Sequence, residues 1–153
     1  MKLGLISDTH GLLRDSALTA LAGSDLIVHA GDVGKGSIVE TLRRVAPVVA
    51  VRGNIDTGEW AKVLPATAEA HIGPARICVI HDVHDLEFDP ADRGYNLVVS
   101  GHSHKAASRR QNGVLYLNPG AAGPRRFRLP VTVATLDLQV VPWTMQLIEV
   151  AAD

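Results

Sequence analysis

The chain has 153 residues, 15 Lys and Arg against 16 Asp and Glu, a formal net charge of −1 and an apolar fraction of 46%. That length fits one domain and lets the fold bury about 70% of the surface of the unfolded chain, so the core needs no covalent staple. The balanced charge argues against a protein that recognises nucleic acid by bulk charge, and no run approaches the roughly 18 apolar residues of a spanning helix, which argues against a membrane partner. Cys78 is the single cysteine and excludes an intramolecular disulfide framework. The start of the chain lacks the apolar stretch and cleavage site of a signal peptide, so a cytoplasmic protein is expected.

Residues 2–7 read as a strand that stops at the polar cluster Asp8-Thr9-His10-Gly11. Residues 14–22 read as a helix, with Leu18, Leu21 and Ala22 near helical spacing and Gly23 as the stop. A second strand at 26–29 ends in Ala30-Gly31-Asp32, a helix follows at 37–44, and a third strand at 48–51 is punctuated by Gly53-Asn54. This alternation predicts an α/β first half with right-handed crossovers and a largely parallel sheet. After Pro65 the texture changes: residues 67–72, 75–80, 97–100, 106–111, 114–117, 131–138 and 140–150 all read as strands, with tight turns at Gly73-Pro74 and Asn112-Gly113. So many strands after two crossover units predict two packed sheets with helices outside. No repeat, low-complexity tract or linker interrupts them, so a single domain is expected.

Five polar clusters each follow an apolar run: Asp8-Thr9-His10, Gly31-Asp32, Gly53-Asn54-Ile55-Asp56, His81-Asp82, and Gly101-His102-Ser103-His104. In open α/β sheets ligands bind beyond the carboxyl ends of the strands, so these clusters are expected on one rim. Asp, Asn and His together offer oxygen and imidazole ligands suited to divalent transition metals. If the loops stay extended, Asp8 and His10, and likewise His102 and His104, point their side chains to one side. Asp8, His10, Asp32, Asn54, His81, His102 and His104 exceed what one ion with open positions uses, so two ions sharing a carboxylate are the better count. Two ions about 3.5 to 4 Å apart form a clamp for in-line phosphoryl displacement.

The ordered set D-x-H, G-D, G-N, H and G-H-x-H resembles that of the calcineurin-like metallophosphoesterase family, most closely its small bacterial and archaeal phosphodiesterases. The resemblance runs from Asp8 to Asn118-Pro119-Gly120 and the strand at 131–138. It implies a four-layer α/β/β/α sandwich of two mixed sheets flanked by helices. By position it gives Asp8, His10 and His104 to a first metal, makes Asp32 the bridge, and gives Asn54, His81 and His102 to a second. Manganese, nickel, iron and zinc are the metals it implies, with manganese the expected activator. The implied reaction is hydrolysis of a small phosphodiester by a hydroxide bridging the ions, with Asp32, Asn54 and His102 at the reacting phosphate.

Two departures stand out. Larger members carry a His after the motif Asn, proposed to protonate the leaving oxygen, where this chain has Ile55. Small relatives often show H-G-H, whereas here His81-Asp82-Val83-His84 separates the two His. His81 directly ends its strand run and is the better ligand; His84 is its competitor or faces substrate. His29 is a candidate to orient a ligand or a structural His, and Asp56 bonds a ligand or stabilises its loop. Arg125 matches the subfamily's Pro-Arg and is the substrate candidate in a basic cluster with Arg126 and Arg128. A metal-binding scaffold with little catalysis, as in the retromer subunit of this superfamily, is the alternative function; a nuclease or phosphomonoesterase is the third. Nucleic acid is a weak expectation as partner, and self-association into a homo-oligomer is open.

Overall fold

A computed structural model describes residues 1–151, in which ten strands form two five-stranded sheets. The first sheet is built on the parallel strands β1 (Lys2–Ile6), β2 (Leu26–His29) and β3 (Val48–Ala50), with β3 at its edge. β9 (Thr132–Asp137) adds antiparallel to β1, and β10 (Gln146–Glu149) to β9, giving the order β10-β9-β1-β2-β3. The second sheet runs β4 (Thr67–Ile72), β5 (Ala75–Ile80), β6 (Leu97–Val99), β8 (Val114–Asn118), β7 (Ala107–Gln111), with parallel pairs at its centre and antiparallel hairpins at its edges. Both sheets are therefore mixed, as expected. Asn112 and Gly113, at φ 53° and 79°, supply the two left-handed residues that a two-residue hairpin turn between β7 and β8 demands.

Strand alternation sorts the side chains into layers. Leu3 and Leu5 of β1 join Val28, Ile77, Val79, Leu97 and Val99 in the layer between the sheets. Ile6 and Ile27 face the other way, onto α1 (Asp15–Leu21) through Ala17 and Leu21 and onto α2 (Gly36–Arg43) through Ile38 and Leu42. Gly4 lies where a side chain would press on Ser24 and Leu21, so its absence lets α1 sit close. The fourth layer is thin: Cys78, Val98 and Val114 are covered by Val83, Leu86, Phe88, Ala91 and Tyr95, carried by two short 3₁₀ turns at Val83–Asp85 and Pro90–Arg93 and the loops around them. The result is an α/β sandwich with few helices. Among the described residues no helix is long and apolar enough to cross a membrane.

The expected last strand, 140–150, is a correction: only Gln146–Glu149 pairs. Asp137 turns the chain by accepting the Gln139 N–H at 3.0 Å, Pro142 has no N–H to give a ladder, and Trp143 folds back to donate to the Leu138 carbonyl at 3.1 Å.

Candidate metal centre

The carboxyl ends of β1, β2, β3, β5 and β6 meet on one rim, and each delivers one of the five polar clusters. The loops hold one another: Asp8 N–H donates to the Gly31 carbonyl at 3.0 Å, His10 N–H to the Asp32 carbonyl at 2.9 Å, and Gly101 N–H to the His81 carbonyl at 2.9 Å. They are not extended. Asp8, His10, Asp32, His102 and His104 have φ of 54°, 46°, 54°, 74° and 63°, so simple alternation does not aim their side chains. Five non-glycine residues in the left-handed region is a concentration of strain found where a site over-determines its backbone.

Close approach explains the motif glycines. A Cβ at Gly53 would collide with the backbone nitrogen and carboxylate of Asp32, and one at Gly101 with the Ser7 hydroxyl and the Asp8 carboxylate. Glycine there lets the loops after β3 and β6 touch the carboxylates directly.

The side chains converge on Asp8 and Asp32, both buried. Asp8 Oδ1 lies 3.6 Å from His10 Nε2, 3.4 Å from His104 Nε2 and 3.9 Å from His81 Nε2. Asp32 Oδ2 lies 3.5 Å from His10 Nε2 and 3.2 Å from His81 Nε2, facing imidazoles from both ends of the cluster. Among the described residues, Asp8 Oδ1, His10 Nε2 and His81 Nε2 are buried without a hydrogen-bond partner. Buried polar atoms rarely stay unpaired, and these share one small volume, so the arrangement fits cations. The spacing agrees: ligands about 2.1 Å from an ion in tetrahedral array stand roughly 3.4 Å apart. Asp8, His10 and His104 form one group able to hold an ion, and Asp8, Asp32 and His81 a second.

The remaining oxygens are committed to protein donors. Asp8 Oδ2 accepts from the Ser7 hydroxyl at 2.7 Å and from His102 N–H at 3.1 Å, and Asp32 Oδ1 accepts from Ile55 N–H at 3.0 Å. His81 Nδ1 faces the Ala30 carbonyl at 2.7 Å, which turns Nε2 inward. Burial opposes ionisation of Asp32, yet His81 and the Ile55 N–H hold its pKa down to about 2. Burial likewise works against a charged His81, but Asp32, the Ala30 carbonyl and the Asp8 charge raise it to about 9. Burial lowers His104, Asp8 opposes that shift, and Arg126 adds to it.

Asn54 and His102 stand at the open side, both exposed. The His102 ring sits edge-on to His81 with centroids 5.2 Å apart, and its Nε2 is 3.7 Å from Asp82 Oδ2. His84 is exposed and turned outward, its Nδ1 on Asp82 Oδ1 at 3.0 Å, so His81 rather than His84 faces the carboxylates. His29 is wholly buried: its Nδ1 accepts from Gly31 N–H at 3.1 Å and its Nε2 faces Thr9 Oγ1 at 3.0 Å. It fastens two ligand-bearing loops and bonds no ligand side chain. Burial, reinforced by His81, lowers its pKa to about 3, so it stays neutral. Asp56 is a loop fastener too, accepting from the N–H groups of Val33, Gly34 and Gly53.

Arg125 is turned away, its guanidinium donating to the Leu129 and Arg128 carbonyls. The arginine that reaches the centre is Arg126, with Nη2 3.5 Å from His10 Nδ1. The Pro-Arg spacing singles out Arg125; no sequence signal ranks its neighbour above it. Asn118, whose Asn-Pro-Gly sequence fits either a plain turn or a residue shaping the rim, donates through Nδ2 to the Gly101 carbonyl at 3.0 Å and pins the loop that carries His102 and His104.

The family profile described as a calcineurin-like phosphoesterase superfamily domain matches residues 1–140, and the chain belongs to that superfamily. A probable metallophosphoesterase of Methanothermobacter thermautotrophicus is 30% identical over 150 residues, covering 90% of this chain and 87% of the relative. Among solved structures, one described as a novel archaeal phosphodiesterase superposes with a TM-score of 0.79 at 23% identity, over 97% of this chain and 100% of that one. Vps29 of Chaetomium thermophilum superposes with a TM-score of 0.82 at 17% identity, over 100% and 90%. Both structural likenesses speak to the fold.

Proposed function

We propose that the protein is a metal-dependent phosphoesterase that hydrolyses small phosphodiesters. The carrying observation is the set of buried, unpartnered Asp8, His10 and His81 atoms around two carboxylates, at spacings suited to shared cations. In this reading Asp8, His10 and His104 would hold one ion, Asp32 would serve both, and His81 with Asn54 and His102 would complete the second site. When bound, such ions supply a water acidic enough to ionise near neutral pH and positive charge for the phosphoryl oxygens, with manganese, nickel, iron and zinc all compatible with these ligands.

The chain's own residues do the rest. His81 would hold an ion as the neutral imidazole, Asp32 stays ionised down to about pH 2, and the His102 imidazole and Asn54 amide lie at the open rim where a phosphate would arrive. Ile55 gives its N–H to Asp32 and leaves an exposed apolar side chain, so no imidazole at that position protonates the leaving oxygen. The reaction therefore favours esters with good leaving groups or recruits another acid for the leaving oxygen.

The likeness to Vps29 supports one second reading, a binding scaffold on the same fold. The intact ligand set speaks against it. The test is hydrolysis of bis-p-nitrophenyl phosphate against p-nitrophenyl phosphate after chelation and return of Mn²⁺ or Ni²⁺, with Asp8→Asn and His102→Ala beside the wild type. Diesterase activity restored by metal and reduced about 100-fold in both variants supports the proposal. No turnover with any metal, in protein that still binds two ions, moves the reading to the scaffold.

A further inference from the structure

Residues 124–130 form a loop beside the His10 and His104 pair, and both its root and its tip are fastened. At the root, Ala122 N–H donates to the Ser7 carbonyl at 3.0 Å, Gly123 N–H to the Asp8 carbonyl at 3.1 Å, and Arg14 Nη1 to the carbonyls of Ala122 and Gly123 at 2.9 and 2.7 Å. At the tip, Arg125 donates to the Leu129 and Arg128 carbonyls at 3.2 and 3.5 Å, and Leu129 N–H to the Arg126 carbonyl at 3.2 Å. This bracing presents two side chains. Arg126 lies at the edge of the metal centre, and among the described residues the ion pairs there leave it without a carboxylate. Phe127 is 93% exposed with φ 55°, in the left-handed region where a bulky residue is an outlier. A ring that is held in strained backbone and adds nothing to the core is the kind of outlier that marks function.

The other flank of the centre is also built to receive something. Asn54, His81 and Asp82 border a cleft of about 600 Å³ that continues to Arg52 and to Phe88, over whose ring the Arg93 guanidinium lies at 3.9 Å. A phosphodiester has two ester arms, and the centre has a receiving surface beside His81 and another beside His10.

We propose that Arg126 and Phe127 recognise one arm of the substrate: the guanidinium takes a non-bridging phosphoryl oxygen and the Phe127 ring stacks on a planar base, making the substrate a nucleoside phosphodiester. The inference rests on the phosphodiesterase reading for its reaction and on the loop for its ligand. Guanidinium suits a phosphoryl group by charge and by its planar fork of donors, and aromatic side chains stack on any base because every base has a π-face. Continuity with the metal centre decides against a lipid surface, since Arg126 ties the ring to a ligand seated on His10.

The probes are adenosine 5′-monophosphate and ribose 5-phosphate, which share sugar and phosphate and differ by the ring. Calorimetric titration of the metal-loaded protein gives the affinity ratio. Base stacking by alanine substitution corresponds to roughly 5- to 150-fold, so the nucleotide binds about tenfold or more tighter to the wild type. Phe127→Ala brings the ratio close to one, Phe127→Trp restores it, and Arg126→Ala weakens both probes alike. Val140→Ser, an exposed apolar residue past the end of β9 where Asp137 pairs with Lys2, away from the rim, leaves the ratio unchanged. A ratio near one in the wild type, or one kept in Phe127→Ala, overturns the inference, as does Phe127-dependent binding to phosphatidylserine vesicles without nucleotide preference. The two readings fail separately. If bis-p-nitrophenyl phosphate is hydrolysed but the ratio ignores Phe127, the substrate class falls; if nothing is hydrolysed but the ratio behaves as stated, the reaction falls and the ligand class stands.

Discussion

The His29 ring and the Thr9 hydroxyl face each other at 3.0 Å inside the protein, and the same hydroxyl donates to the Val33 carbonyl at 2.8 Å. With Nδ1 accepting from Gly31 N–H, the proton sits on Nε2 and is donated to Thr9 Oγ1, and the Gly31 bond survives only while the ring is neutral.

That neutrality sets an acid limit on the fold. His29 takes a proton near pH 3 when folded and near 6.5 when unfolded. The unfolded chain therefore binds the proton first, and stability falls as pH drops from 6.5 towards 3, by up to about 5 kcal/mol. Asp32 adds a loss below about pH 4, where the unfolded carboxyl protonates before the folded one. In chelated protein, urea midpoints from pH 6.5 to 4.5 decline, and His29→Gln flattens the decline. Parallel curves for wild type and variant would sink this account.

His81 predicts the opposite edge. Its folded pKa of about 9 lies above the unfolded 6.5, so the metal-free protein holds this stabilisation below pH 6.5 and loses it as pH rises through 9. A metal competes with that same proton. At pH 7.5 ion binding releases about one proton from His81, and affinity drops roughly tenfold per pH unit below 9. Calorimetry in buffers of different ionisation enthalpy counts the proton, and His81→Ala should remove it.

The sheets and the rim were legible because their signals are local: apolar runs of strand length, each ended by Gly with Asp, Asn or His. Asp8, His10, Asp32, His81 and His104 meet as their strand ends required. What stayed hidden depends on distant contacts. His29 reads as ligand partner or core residue until Thr9 and Gly31 are seen on either side of it, and Asp56 until Val33, Gly34 and Gly53 point their N–H groups at it. Arg126 and Arg125 are neighbours of one type, and only the bonds that hold Arg125 back leave Arg126 to the centre. The stretch 140–145 has the apolar content of a strand, but Pro142 and the Asp137 turn remove its pairing.

Gly53 should tolerate no side chain. A Cβ there meets the Asp32 backbone nitrogen, which cannot swing aside as a flexible side-chain tip would. Gly53→Ala therefore displaces the Asp32 loop and costs about 10- to 100-fold in metal affinity, the range seen when ligand supports are lost. Far-ultraviolet circular dichroism should stay native, since the clash lies outside every strand. Unchanged affinity would mean the loop moves more freely than its hydrogen bonds imply.

Asn118 separates positioning from turn formation. Its Nδ2 donates to the Gly101 carbonyl at 3.0 Å and to Ser103 Oγ at 3.2 Å, while its Oδ1 accepts from Gly120 N–H at 2.9 Å. Asn118→Asp keeps the acceptor for Gly120 but turns an oxygen towards the Gly101 carbonyl, and Asn118→Ala loses both sides. Leaving such buried groups unpaired costs about 1 to 3 kcal/mol each. If the amide's work is to hold the loop of His102 and His104, both variants lose metal affinity to a similar degree, whereas thermal stability falls further in Asn118→Ala. If the turn alone matters, Asn118→Asp binds metal like the wild type, and metal titration of the two variants decides between these roles.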